Sequence, residues 1–119
     1  NIDKNVKRYA AAGISVEFSE VEVKIRVSDL DLATSHGKKI YADRLQTQAK
    51  LYRGLMKIAK ENENVSAFIL WSLSDLWSTG GVMTYPEYMV FGDGAIFDTY
   101  GRPKPAYYAM LEELKGEGR

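Results

Sequence analysis

The spacing of apolar positions changes along the chain, and each change marks an element. Ile2, Val6, Tyr9 and Ala10 recur at helical intervals, and Gly13 is placed to stop that helix. Over residues 14–25 the period shortens to two. Val16 and Phe18 alternate with Ser15, Glu17 and Ser19, as in a strand. The polar stretch 26–39 reads as a loop. Tyr41, Leu45, Gln48, Tyr52, Leu55 and Ala59 then trace one face of a long amphipathic helix that ends near Glu61, where Asn62, Glu63 and Asn64 break it. Residues 65–71 form a nearly continuous apolar run, the pattern of a buried parallel strand. Residues 72–95 read as a long loop rich in glycine and aromatics. Pro103 and Pro105 introduce a last helix over 106–115, with Pro105 suited to its first turn.

The predicted order is helix, strand, helix, strand, helix. Alternation of this kind implies βαβ units and a parallel sheet, hence an α/β fold. Two strands do not make a stable parallel sheet, because such sheets are covered on both faces. A closed TIM (β/α)8 barrel takes about 250 residues, and this chain supplies roughly a quarter of its elements. No repeat or linker divides residues 1–119, so the whole chain reads as one partial barrel segment.

Composition narrows the function classes. Sixteen basic and 16 acidic side chains give a net charge of zero, which argues against a nucleic-acid partner, since those need a basic face. No apolar run approaches the ~18 residues of a membrane span, so no membrane partner is expected. The chain has no cysteine, which excludes disulfides and thiolate metal sites; no metal or cofactor is expected. The polar residues 1–7 carry no signal-peptide core, so either the protein is not secreted or a signal lies upstream. Eight Tyr and two Trp suit either a core or stacking on sugar rings.

Glu20 is the first candidate for chemistry. Period two puts Val16, Phe18, Glu20 and Glu22 on one face. If Val16 and Phe18 face a barrel interior, Glu20 projects at the C-terminal rim, where barrels of this kind place their catalytic groups. A solvated glutamate at a strand end fits the spacing as well. Glu17 would point outward, toward a packing helix. Trp71 ends the apolar run and Trp77 lies beyond it; the pair could wall a sugar subsite or belong to the core. Asp75 could cap or hydrogen-bond within the loop.

Several segments together resemble the endo-xylanases of glycoside hydrolase family 10. Phe18-Ser19-Glu20-Val21-Glu22 resembles the family's Ile-Thr-Glu-Leu-Asp motif on the seventh strand. Trp71-Ser72-Leu73-Ser74-Asp75 is similar to the Trp-Gly-x-x-Asp segment ending the eighth. Phe97-Asp98 and Pro103-Lys104-Pro105-Ala106-Tyr107-Tyr108 nearly reproduce the family's ending, and Gln48-Ala49 with Tyr52 fits its seventh helix. The resemblance implies the last two strands and last three helices of the barrel, and a secreted enzyme that acts on xylan or xylo-oligosaccharides. It implies that Glu20 is the nucleophile, that Trp71 and Trp77 bind substrate, and that Glu22 and Asp75 support them.

Departures from the pattern set further expectations. Glu22 stands where the family has Asp, and Ser72 where it has Gly. Trp77 comes two residues after Asp75, earlier than the family's loop tryptophan, and residues 79–93 have no counterpart. The acid/base glutamate and a histidine near the nucleophile belong to strands that would lie upstream of Asn1; His36 reads as a surface loop residue. The chain alone is therefore expected to be inactive, a fragment whose exposed strand edges call for the missing barrel portion or for self-association. Two other readings remain open: a non-catalytic carbohydrate-binding remnant using Trp71, Trp77 and Tyr85 or Tyr88, and another retaining glycosidase, a mannanase or cellulase, on the same barrel.

Overall fold

The computed structural model describes residues 1–77 and 90–116. Its elements in chain order are α1 (Ile2–Ala11), β1 (Val16–Val21), β2 (Ile25–Arg26), α2 (Ser35–Glu61), β3 (Val65–Leu70), β4 (Phe91–Gly92) and α3 (Pro105–Lys115).

Local chemistry sets the helix ends. The Asn1 side chain accepts from the Lys4 amide at the start of α1, and Gly13 leaves it with φ +72°, a conformation that glycine adopts freely. α2 begins at Ser35, inside the stretch that reads as a loop. Thr34 has extended dihedrals, and its Oγ1 accepts from the Gly37 amide at 2.9 Å, so one orphan donor of the first turn is satisfied. Gly37 is required there, because a Cβ would lie 2.0 Å from the Asp31 carbonyl oxygen. His36 is consequently an exposed residue of the first helical turn and not of a loop. Pro105 opens α3, and Gly116 closes it in the left-handed conformation.

β1 and β3 pair in parallel, as the two apolar patterns imply, and among the described residues they pair only with one another. Their register aligns Phe18 with Phe68 and Val21 with Leu70. β2 and β4 form a short antiparallel pair, Ile25 with Gly92 and Arg26 with Phe91; β2 straddles the end of the strand pattern 14–25 and the following loop, and β4 lies inside a segment read as loop. Two residues per strand carry no periodicity by which to recognise them.

The core lies between the β1–β3 pair and the helices α2 and α3. Ala49, Tyr52 and Met56 of α2 meet Ala106 and Met110 of α3 and Ile96, and Val21, Val23, Phe68 and Leu70 pack onto that cluster from the strands. Burying each large apolar side chain here contributes about 1.5–3 kcal/mol. Arg53 ties the two helices at the surface through Glu112.

One orientation differs from expectation. Phe18 lies beside Phe68, with ring centroids 5.9 Å apart and edge to face, and Phe68 packs on the helix cluster. Val16 and Phe18 thus belong to the helix-facing side of β1. Glu17 is exposed on the opposite, open side together with Ser19, so it does not point at a packing helix. Period two identifies which residues share a face, but not which face is inward.

Candidate functional site

A parallel pair ends both its strands on one edge, and the candidate site forms there. The register accounts for Glu20. Between Phe18↔Phe68 and Val21↔Leu70, β1 uses two residues, Ser19 and Glu20, where β3 uses one, Ile69. This is a bulge: the extra residue breaks the alternation and re-aims a side chain. Glu20 takes φ +55° to accommodate it. Left-handed dihedrals are uncommon for a glutamate and cost roughly 1 kcal/mol or more. Glu20 is exposed, as are Ser19 and Ile69. It reaches the open side through the bulge and not by sharing a face with Val16 and Phe18.

Trp71 follows directly on β3. Its amide donates to the Val21 carbonyl at 3.1 Å, which extends the ladder by one rung and sets Trp71 alongside the residue after Glu20. Leu70 faces the helices, so Trp71 takes the open side, where it is 52% exposed. It is therefore not a core residue. Trp77 is more open still, at 80% exposure, and lies at the end of a turn in which its amide donates to the Ser74 carbonyl. Tyr85 and Tyr88 lie outside the described residues, as does most of the 79–93 segment.

Glu22 points elsewhere. Its side chain lies over Gly94, so closely that a Cβ on Gly94 would fall 2.3 Å from Glu22 Cγ. Its carboxylate is 3.4 Å from Lys24 Nζ. The simple alternation that puts Glu20 and Glu22 on one face fails at the bulge.

Asp75 is buried, at 1% exposure. Its Oδ1 accepts from the Ala95 amide at 2.9 Å and its Oδ2 from Lys104 Nζ at 2.8 Å. Lys104 uses all three of its donors, the other two going to the carbonyls of Asp93 and Ala95 at 2.7 Å each. The lock reaches well beyond its own loop: it joins the segment after β3, the segment after β4 and the start of α3. Burial pushes the Asp75 carboxyl up to about 6, against the pull of the Lys104 ammonium. The sequence marks Lys104 only as a letter of the Pro-Lys-Pro-Ala-Tyr-Tyr ending. Its role was not legible, because lysines are rarely buried.

α2 holds the segment that follows Glu20. Tyr52 Oη accepts from the Val23 amide at 3.3 Å and donates to the Gly94 carbonyl at 2.6 Å. Gln48 Nε2 donates to the Val23 carbonyl at 2.7 Å and to the Asp93 carbonyl at 2.6 Å. Both side chains are fully buried. Burial pushes the Tyr52 hydroxyl up to about 12. Tyr41 donates to Asp93 Oδ2 at 2.7 Å, and burial with the Asp93 charge beside it raises its hydroxyl too. Asp93 has φ +49°; it and Glu20 are the non-glycine residues with positive φ among those described. No group of three or more metal-ligating side chains occurs among the described residues.

Comparison with known proteins gives one consistent result. The family model described as glycosyl hydrolase family 10 matches residues 1–113. Endo-1,4-beta-xylanase B of Thermotoga neapolitana is 30% identical over 114 residues, which are 94% of this chain and 28% of that protein. Among solved structures, native xylanase 10B from Thermotoga maritima superposes with a TM-score of 0.74 at 25% identity, over 96% of this chain and 31% of that one. Xylanase 10B from Thermotoga petrophila RKU-1, solved in complex with xylobiose, gives 0.72 at 26% identity over the same shares. The chain thus spans less than a third of the length of these relatives.

Proposed function

The chain belongs to glycosyl hydrolase family 10, a partial α/β piece of that family's TIM barrel, and from that premise we propose that it carries the nucleophile of a retaining endo-1,4-beta-xylanase, with Glu20 in that role. The observation that carries the proposal is the bulge. It turns Glu20 out of the strand alternation, at φ +55°, onto the open rim beside Trp71. A backbone held in a sparsely populated conformation at a strand end is a recurrent mark of a functional group that must be aimed.

The proposed chemistry is double displacement. The ionised Glu20 carboxylate attacks the anomeric carbon, the bond to the leaving oxygen breaks, and a glycosyl-enzyme ester forms. A second carboxylic acid protonates the departing oxygen; it then takes a proton from the water that hydrolyses the ester. The two carboxyl groups lie ~5–5.5 Å apart in retaining enzymes. In this proposal the second group comes from barrel strands outside this sequence, so the 119-residue chain alone is inactive on xylan. Trp71 and Trp77, both exposed, supply flat apolar faces for the sugar rings on either side of the reacting bond. Glu22 and Asp75 support the site from behind, through the packing on Gly94 and the Lys104 lock. The substrate is xylan or xylo-oligosaccharide, by likeness to relatives named as xylanases.

The test is Glu20→Gln in the complete barrel. Hydrolysis of an aryl xylobioside should be abolished while binding of xylo-oligosaccharide persists. Undiminished turnover would remove Glu20 from the mechanism. The exposure of Trp71 and Trp77 also supports a second reading, a non-catalytic carbohydrate-binding segment. Xylan binding without turnover by the complete barrel would favour it.

A further inference from the structure

We propose that Gln48 and Tyr52 are positioning residues for Glu20, a clamp from α2 that holds the strained turn of the nucleophile strand in its reactive geometry. This inference rests on the reading of Glu20 as nucleophile.

The β1–β3 ladder ends just past Glu20. Among the described residues, the hydrogen bond from the Trp71 amide to the Val21 carbonyl is the last between the β1 and β3 sides. Beyond it, the chain that leaves Glu20 has to be held by something else. At Val23, α2 supplies most of that hold, beside a longer backbone hydrogen bond, 3.4 Å, from the Val23 amide to the Gly94 carbonyl. Tyr52 Oη takes the Val23 amide and Gln48 Nε2 takes the Val23 carbonyl. Both polar groups of one backbone residue, three positions after Glu20, are thus fixed by side chains of the same helix.

The same two side chains also grip the segment after β4. Tyr52 Oη donates to the Gly94 carbonyl and Gln48 Nε2 to the Asp93 carbonyl. Glu20 at φ +55° and Asp93 at φ +49° therefore lie on the two segments that Gln48 and Tyr52 bind together. Strained dihedrals persist only where the surroundings over-determine them, and these four hydrogen bonds meet that need from a single rigid helix. Gln48 is held to this orientation. Its Nε2 spends both protons on carbonyls, so a flipped amide would set oxygen against oxygen; Oε1 is left buried without a partner among the described residues. That arrangement uses glutamine for its two donors and not for its acceptor.

A clamp of this kind predicts a specific kinetic signature. Gln48 and Tyr52 are fully buried on the helix side of the sheet, whereas Trp71 and Trp77 are exposed. Loosening the clamp should leave substrate binding alone and displace the attacking carboxylate. Misplacement of a reacting group by about 1 Å costs on the order of 100-fold in rate.

The experiment uses the complete barrel and a 2-deoxy-2-fluoro-xylobioside with a dinitrophenolate leaving group. That probe accumulates the glycosyl-enzyme and needs no acid assistance in the first step. Inactivation of the native protein gives a rate constant and a binding constant, and peptide mapping locates the adduct. Tyr52→Phe removes one hydroxyl and retains the ring; Gln48→Met removes both amide donors at similar volume. We expect the adduct on Glu20 in every case, a rate constant lowered about 10- to 100-fold in each variant, and a binding constant within about twofold of native. Rates are read well below each variant's own unfolding temperature, so lost stability alone would leave the rate constant unchanged. Equal rate constants in native and variant proteins would overturn the positioning role while leaving Glu20 as nucleophile. An adduct on another residue, or none in the native protein, would overturn the nucleophile reading and the clamp with it. A variant that does not fold is replaced by the other, and failure of both to fold would make the pair structural and overturn the proposal.

Discussion

Replacing Lys104 by Met should expose what the buried lock contributes. The ammonium and the Asp75 carboxylate are 4% and 2% exposed and 2.8 Å apart. Lys104→Met keeps the side-chain volume and removes three donors. Among the described residues Asp75 is left with the Ala95 amide, and the carbonyls of Asp93 and Ala95 each lose a partner. Breaking a buried pair from one side destabilises by about 3–5 kcal/mol. Protonation of Asp75 limits that loss, and so makes it depend on pH. In the native protein burial raises the Asp75 carboxyl to about 6 from 3.8. A raised value gives stability that is fully present below about 3.8 and is lost as the pH climbs through 6. Without the cation the folded value rises further, so the loss in the variant continues to higher pH, by up to about 1.4 kcal/mol per pH unit. Urea unfolding of the protein at pH 5 and pH 8 measures both. The penalty of Lys104→Met should be about 3 kcal/mol or more at pH 8 and smaller at pH 5. Adding Asp75→Leu should recover much of it, because the orphaned carboxylate is gone. A penalty below about 1 kcal/mol at both pH values, or a double variant no more stable than the single one, would refute the reasoning.

Other expectations follow from single contacts. Thr34→Ala removes the cap on the Gly37 amide and should lower stability by about 1 kcal/mol, read as a shift of the urea midpoint. Tyr52, raised to about 12 by burial, should stay protonated well above the ordinary tyrosine value of about 10; its contribution to stability is complete below pH 10 and is lost as the pH rises through 12. Absorbance of tyrosinate against pH measures this: Tyr52→Phe should remove the component near pH 12 and leave that of Tyr41, which is also raised, in place.

The resemblance and the patterns make the frame legible in the sequence. The alternation at Val16 and Phe18 and the apolar run 65–71 identified two parallel strands, and the spacing from Tyr41 to Ala59 identified the face of α2. What escaped is governed by local geometry. The bulge at Ser19 and Glu20 is a matter of one backbone dihedral, and no residue type announces it. Because of it, a face assignment extrapolated from Val16 through Phe18 to Glu20 and Glu22 could not hold. The start of α2 was set by Thr34, Gly37 and Asp31, a hydrogen-bonded turn with no apolar period. Asp75 was legible as a hydrogen-bonding residue, but its partner was not, since a lysine between two prolines reads as surface. Gln48 and Tyr52 were legible as marks of a helix face; that their polar ends reach across to Val23, Asp93 and Gly94 depends on contacts between distant segments.

If Glu20 attacks sugar, a trapped glycosyl-enzyme reports it. The complete barrel is incubated with the dinitrophenyl 2-deoxy-2-fluoro-xylobioside, and its intact mass and peptide map are recorded. One added fluoro-xylobiosyl group is expected, carried by the peptide that contains Glu20 and absent in Glu20→Gln. A label on any other carboxylate, with Glu20 unmodified, would contradict that expectation.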